Sequence, residues 1–160
     1  MHRIMFVCHG NICRSPMAEF VMKDLVARAG REGEFEIASA ATSAEELGNP
    51  VHPGTVRILK RMGISCAGKR ARRVSADEYD AWDLIIGMDE ANMANLRRLF
   101  KGDPQNKIHK LMEFAGKRTS RNAVPDVADP WYTGDFETTH RDIFAGCKGL
   151  LERIGGHGIG

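Results

Sequence analysis

The run Arg3-Ile-Met-Phe-Val7 most constrains what this chain can become, because after Arg3 it is apolar at every position rather than at alternate ones. A strand of that kind is buried on both faces, as strands of a parallel sheet are when helices cover them from either side. Cys8 follows it, then Gly10 and Asn11, and then Ser15-Pro16, a pair suited to capping and opening a helix. Met17, Phe20, Val21, Met22 and Leu25 continue with helical spacing as far as Gly30.

The same alternation recurs downstream. Residues 35–39 and 82–88 read as strands, 53–62 and 89–99 as helices, and 108–114 as a weaker strand. Residues 115–135 form a long polar loop, 136–154 a terminal helix and 155–160 a loose tail. A connection that long inside a compact domain is functional or disordered. The expectation is one α/β domain over 1–154, a three-layer α/β/α arrangement around a twisted four-stranded parallel sheet of the flavodoxin-like or Rossmann-like kind. Ligands of such sheets bind beyond the carboxyl ends of the strands, where Cys8, residues 39–43 and Asp89 all fall.

Composition narrows the classes of function. The 160 residues carry a net charge of only +2, which calls for neither nucleic acid nor a membrane surface. No segment approaches the length of a membrane span, and Ile4–Cys8 is too short for a signal-peptide core. Four cysteines do not make a disulfide scaffold here, so they read as thiols in a reducing cytoplasm. That setting leaves export by a non-classical route open, and nothing in the sequence speaks to oligomeric state. Cys66 and Cys147 have no metal-ligand spacing with each other or with a histidine, so packing is their default.

A turn entering a helix directs backbone N–H groups and the positive end of the helix dipole at one point. Gly10 permits unusual dihedrals there, Asn11 tolerates the left-handed region, and Arg14 can grip two oxygens of a tetrahedral anion. A cysteine among these donors favours its thiolate, the form that attacks phosphorus. The alternative is a buried Cys8 acting as a small hydrophobe. Two other features are discounted. Gly63–Arg70 nearly spells a nucleotide-binding loop but follows a helix and lacks the final hydroxyl residue. The basic run Lys69, Arg70, Arg72, Arg73 reads as a solvated strand edge.

With C-H-G-N-I-C-R-S-P at 8–16, S-A-A-T-S at 39–43, W-D-L-I-I-G-M-D-E-A-N at 82–92 and A-D-P-W-Y-T-G at 128–134, the chain resembles the low-molecular-weight protein tyrosine phosphatases. The resemblance implies a phosphate-binding loop of His9, Gly10, Asn11, Ile12, Cys13, Arg14 and Ser15. It implies Cys8 as nucleophile, Arg14 as phosphate-binding arginine and Asp129 as general acid, with a cysteinyl-phosphate intermediate, no metal or cofactor, and a phosphotyrosine protein as substrate. Ser15 would hydrogen-bond the thiolate, and Asn11 and Ser39 would brace the loop. Trp131 and Tyr132 would wall the substrate ring, with His9 and Glu45 on the rim. Cys13 would offer Cys8 a partner for a protective disulfide.

Asp126 is the competing carboxylate. The family often carries a histidine before the Ala-Arg of the basic segment, and this chain has none, which puts a hydrogen bond to Asp89 in question. Three rival functions stand beside the phosphotyrosine reading. They are a protein-arginine phosphatase, which typically has Thr where Ile12 stands, a thiol-dependent arsenate reductase, and a phosphopeptide-binding module without turnover.

Overall fold

A computed structural model describes residues 1–158. Four parallel strands, β1 (His2–Cys8), β2 (Phe35–Ala41), β3 (Leu84–Gly87) and β4 (Ile108–Lys110), form one sheet in the order β2-β1-β3-β4. The helices are α1 (Arg14–Arg28), α2 (Pro53–Arg61), α3 (Glu90–Leu99), α4 (Pro130–Thr133) and α5 (Phe136–Gly158). The chain runs from β1 to its neighbour β2 and then returns to β1's other side with β3. That reversal opens a crevice at the carboxyl end of β1, where doubly wound sheets bind ligands.

The unbroken apolar run of β1 from Ile4 to Val7 is explained by two cores. Ile4 and Phe6 pack with α1, α2 and α5 on one face, whereas Met5 and Val7 pack with α3, Val74 and Trp82 on the other. All four are fully buried. Burying a side chain of this size contributes about 1.5–3 kcal/mol, so the central strand fixes the layered arrangement and the position of Cys8 at its end.

Several local expectations need correction. Helix α1 opens one residue before Ser15, with Cys13 at the cap and no side-chain cap bond. Ser15 is drawn instead into contacts with Cys8 and Asn11, and Pro16 fits because the first turn has no intrahelical acceptor for its N–H anyway. Strand β3 begins at Leu84, not Trp82, since residues 76–81 form a 3₁₀ turn capped by Ser75 and Glu78. Strand β4 stops at Lys110. Leu111, Met112 and Phe114 are all buried, a pattern without strand alternation, and they lie in a 3₁₀ turn over 111–115 closed by left-handed Gly116. Helix α5 continues beyond 154 to Gly158, with Ile154 packed on the core and Gly155 buried. Of the tail expected from 155, Ile159 and Gly160 lie outside the described residues.

The close fit of α5 on the 111–115 turn depends on Gly149. A Cβ there would stand 1.8 Å from the Phe114 carbonyl oxygen. Helix propensity alone favours Ala over Gly by about 1 kcal/mol. Overpacking against backbone costs about 1–3 kcal/mol or more. Gly149→Ala is therefore expected to lower the urea midpoint, and a raised midpoint would show that the contact is looser than described.

Candidate active site

The segment 8–15 wraps from the end of β1 into α1. Its left-handed residue is Asn11, at φ +59°, and Gly10 has no positive φ. Space around Gly10 is tight instead, because a Cβ there would lie 3.2 Å from Cγ of Glu46. Asn11 is 1% exposed, and its side chain is fully engaged. Its Nδ2 donates to Ser15 Oγ at 2.7 Å and Ser39 Oγ at 3.0 Å, and its Oδ1 accepts from Arg72 N at 3.1 Å. Ile12 and Cys13 are held from the other side by α2. His52 N donates to the Ile12 carbonyl at 2.9 Å, and Thr55 Oγ1 donates to the Cys13 carbonyl at 3.1 Å.

This bracing leaves the loop's inner face unfilled. Among the described residues, the backbone N–H groups of 10–14 donate to no protein acceptor. Buried or half-buried N–H groups are rarely left so, and a ring of them around one point is an anion site. At its floor is Cys8, 4% exposed, whose Sγ lies 3.1 Å from Ser15 Oγ and accepts from Ser15 N at 3.4 Å. Asn11 already donates to Ser15 Oγ, so the hydroxyl proton is free to point at the sulfur. Cys13 borders the same cavity. Burial, and then the nearby Cys8, push its thiol up to about 12.

Arg14 is 2% exposed and held from above. Its Nη1 donates to Asp89 Oδ2 at 2.8 Å and to the Val127 carbonyl at 2.9 Å, while Nη2 reaches Asp129 Oδ2 at 3.5 Å. Burial works against its charge, but Cys8, Asp89 and Asp129 outweigh that and raise its pKa. Asp89 also caps α3 through Asn92 N at 2.8 Å. Asp129 caps the short α4, accepting from Trp131 N at 3.0 Å.

Cys8, His9, Gly10, Ile12, Cys13, Arg14, Glu45, Asp129, Trp131 and Tyr132 thus border one cavity of about 130 Å³. Trp131 and Tyr132 are both exposed, at 59% and 84%, so neither plugs the core. His52 meets Trp131 edge-on at 5.8 Å. His9 Nε2 lies 2.8 Å from Glu45 on the rim. Asn11, Ser15 and Ser39 stand behind the cradle rather than in it. Asp126, the competing carboxylate, is engaged elsewhere: it lies 2.8 Å from Lys110 and accepts from Glu90 N at 3.2 Å. That contact ties β4 and α3 to the loop carrying Asp129. Among the described residues, no three His, Cys, Asp or Glu side chains are grouped so as to hold a metal ion.

The basic run is not simply a solvated edge. Lys69 is turned inward, donating to the Ser39 carbonyl at 2.9 Å and lying 3.4 Å from the buried Glu19, which accepts from Ser39 Oγ at 2.5 Å. Burial lowers its pKa, and the Glu19 charge opposes that shift. It leaves Asp89 to Arg14. Glu19, Lys69, Thr55, Glu46 and the Arg14–Asp89 pair are absent from the sequence-based site. Only Asp89 had a signal, its place at the end of a strand.

Comparison with known proteins agrees with this geometry. The profile described as low molecular weight phosphotyrosine protein phosphatase matches residues 3–157. The chain is 42% identical over 154 residues to the low molecular weight protein-tyrosine-phosphatase YfkJ of Bacillus subtilis, covering 96% of each. It is 36% identical over 152 residues to the low molecular weight phosphotyrosine protein phosphatase of Gallus gallus, covering 94% of each. The crystal structure of Bacillus subtilis YfkJ superposes with a TM-score of 0.91, at 41% identity, over 98% of this chain and 96% of that one. A match of this extent, on a fold whose strand ends converge at Cys8, places the chain in the low-molecular-weight phosphotyrosine protein phosphatase family.

Proposed function

We propose that this chain hydrolyses phosphotyrosine in protein substrates with Cys8 as nucleophile, Arg14 as phosphate clamp and Asp129 as general acid and base. The observation that carries the reading is the sulfur of Cys8 beneath unpartnered N–H groups, two contacts from Ser15 and the buried Arg14 beside it. In the first step the Cys8 thiolate attacks phosphorus. The S–P bond forms as the P–O bond to tyrosine breaks, and Asp129 gives its proton to the departing phenolate oxygen. In the second step water attacks phosphorus, Asp129 takes its proton, and phosphate leaves with the thiolate restored. Arg14 and the N–H groups stabilise the equatorial oxygens in both transition states. Held by Asp89 and Val127, the guanidinium need not reorganise to do so.

The rival reactions fit less well. An arsenate reductase has to relay a disulfide outward, yet Cys147 is fully buried against the Ala18 carbonyl and Cys66 borders a different cavity. Ile12 borders the catalytic cavity where an arginine phosphatase of this family typically has Thr, so no hydroxyl is offered from that position. A binding module without turnover would not need Asp129 in the cavity. We place this chain in the cytoplasm, on the reading of its four cysteines as thiols of a reducing compartment.

Cys8→Ser is expected to abolish release of p-nitrophenol from p-nitrophenyl phosphate, assayed without added metal beside phosphoarginine and arsenate. Turnover at the unmodified rate would overturn the assignment. Asp129→Ala is expected to slow the reaction by about 10²–10⁴-fold for phenyl phosphate and less for esters of acidic phenols. Equal slowing for both would deny it the proton-donor role.

The two cradle thiols should also differ in reactivity. At neutral pH iodoacetamide is expected to alkylate Cys8 well before Cys13, which burial holds as a thiol. After mild peroxide, Cys8 becomes a sulfenic acid, and the Cys13 thiol displaces water from it to leave a disulfide. Mass spectrometry showing overoxidised Cys8 with no 8–13 link would rule that protection out.

A further inference from the structure

Beside the catalytic cavity, and sharing His9 with it, lies a second hollow of about 510 Å³ lined in part by Thr42, Ser43, Arg73, Arg98 and Leu99. Its walls come from three places. Residues 42–43 leave the end of β2 and hydrogen-bond the Cys8 and His9 carbonyls at 3.0 and 3.1 Å. Arg73 belongs to the segment bridged to Ala41, and Arg98 projects from α3. The hollow is thus built onto the same strand ends as the cradle.

Its two arginines are exposed and have no acidic partner. Among the described residues neither Arg73 nor Arg98 pairs with a carboxylate, and the Arg98 side chain bonds only Asn95 Oδ1, at 2.8 Å. Two guanidinium groups on one concavity make its potential positive and favour an anion there. Oγ1 of Thr42 is shielded from solvent with no hydrogen-bond partner, and such a group calls for an explanation. Glu45 and Glu46 border the catalytic cavity, and Glu45 lies 2.8 Å from His9 on the wall that the two hollows share.

We propose that this hollow is a second substrate subsite, which takes an anionic side chain of the phosphopeptide, a carboxylate or a phosphate monoester close in sequence to the phosphotyrosine. The proposal rests on the tyrosine phosphatase reading. An extended peptide advances about 3.3 Å per residue, so a hollow that shares a wall with the cavity is reached within the first few flanking positions. Arg73 and Arg98 supply forked donors matched to either anion, and the Thr42 hydroxyl gains a partner.

The test uses phosphotyrosine peptides identical except for flanking residues, which are Glu, phosphoserine, Ala or Lys. The ratio of kcat/KM to that for p-nitrophenyl phosphate is expected to be about three- to tenfold higher for the anionic flanks, narrowing with added salt. In Arg73→Ala/Arg98→Ala this advantage disappears. An unmodified enzyme that ranks the peptides equally, or a double variant that keeps the preference, overturns the proposal. Binding of the same peptides to Cys8→Ser, read by fluorescence anisotropy, reports the preference without turnover. The same ranking supports the subsite even if the catalytic assignment fails, and equal affinities overturn it.

Discussion

Asn11 carries more of this structure than its size suggests. Its one amide donates to Ser15 and Ser39 and accepts from Arg72, and so joins the end of β1, the start of α1, β2 and the 71–74 segment in one buried knot. The left-handed backbone at Asn11 turns the loop back on itself. Few residues other than Gly adopt that conformation at low cost, and only a side-chain amide can then satisfy both hydroxyls and a backbone N–H. The open inner face of the cradle follows. Its N–H groups stay unpartnered because the loop is fastened from behind.

Charge is arranged around this knot in two tiers. Within reach of the anion site, Arg14 is set by Asp89 and the Val127 carbonyl, and Asp129 approaches it from the cap of α4. One layer back, the buried Glu19 takes the Ser39 hydroxyl and lies beside Lys23 and Lys69. Lys110 does the same for the long loop, through Asp126, Glu90 and the Val124 carbonyl. Burial disfavours its charge, yet the two carboxylates raise its pKa overall. Its amino group is buried while both carboxylates are exposed, so the pairs add little stability in themselves, but leaving Lys110 without a partner is costly. Its role here is placement: Asp129 follows Asp126 by three residues, so fixing one confines the other.

Much of this was legible in the sequence where local pattern and tertiary demand coincide. The apolar run of β1 and the helix that starts near Arg14 each carry a signal within a few residues, whereas the short α4 lies inside the stretch 115–135 that reads as one long loop. The misreadings came where a residue had two competing partners. Ser15 can cap a helix, but the sulfur and Asn11 claim it; Gly10 can adopt unusual dihedrals, but its φ is not positive and its close neighbour is Glu46. Lys69 looked like one member of a solvated run because its partners, Glu19 and Ser39, are 50 and 30 positions away. No short-range pattern encodes such contacts.

The central claim is that the sulfur of residue 8 receives the phosphoryl group. The direct measurement is to mix the enzyme with p-nitrophenyl phosphate, quench within milliseconds in conditions that preserve thiophosphate esters, and locate the adduct by peptide mass spectrometry. The account predicts one phosphoryl group, on Cys8. A phosphoryl group on His9 or on another residue, or turnover with no covalent adduct at any quench time, would contradict it.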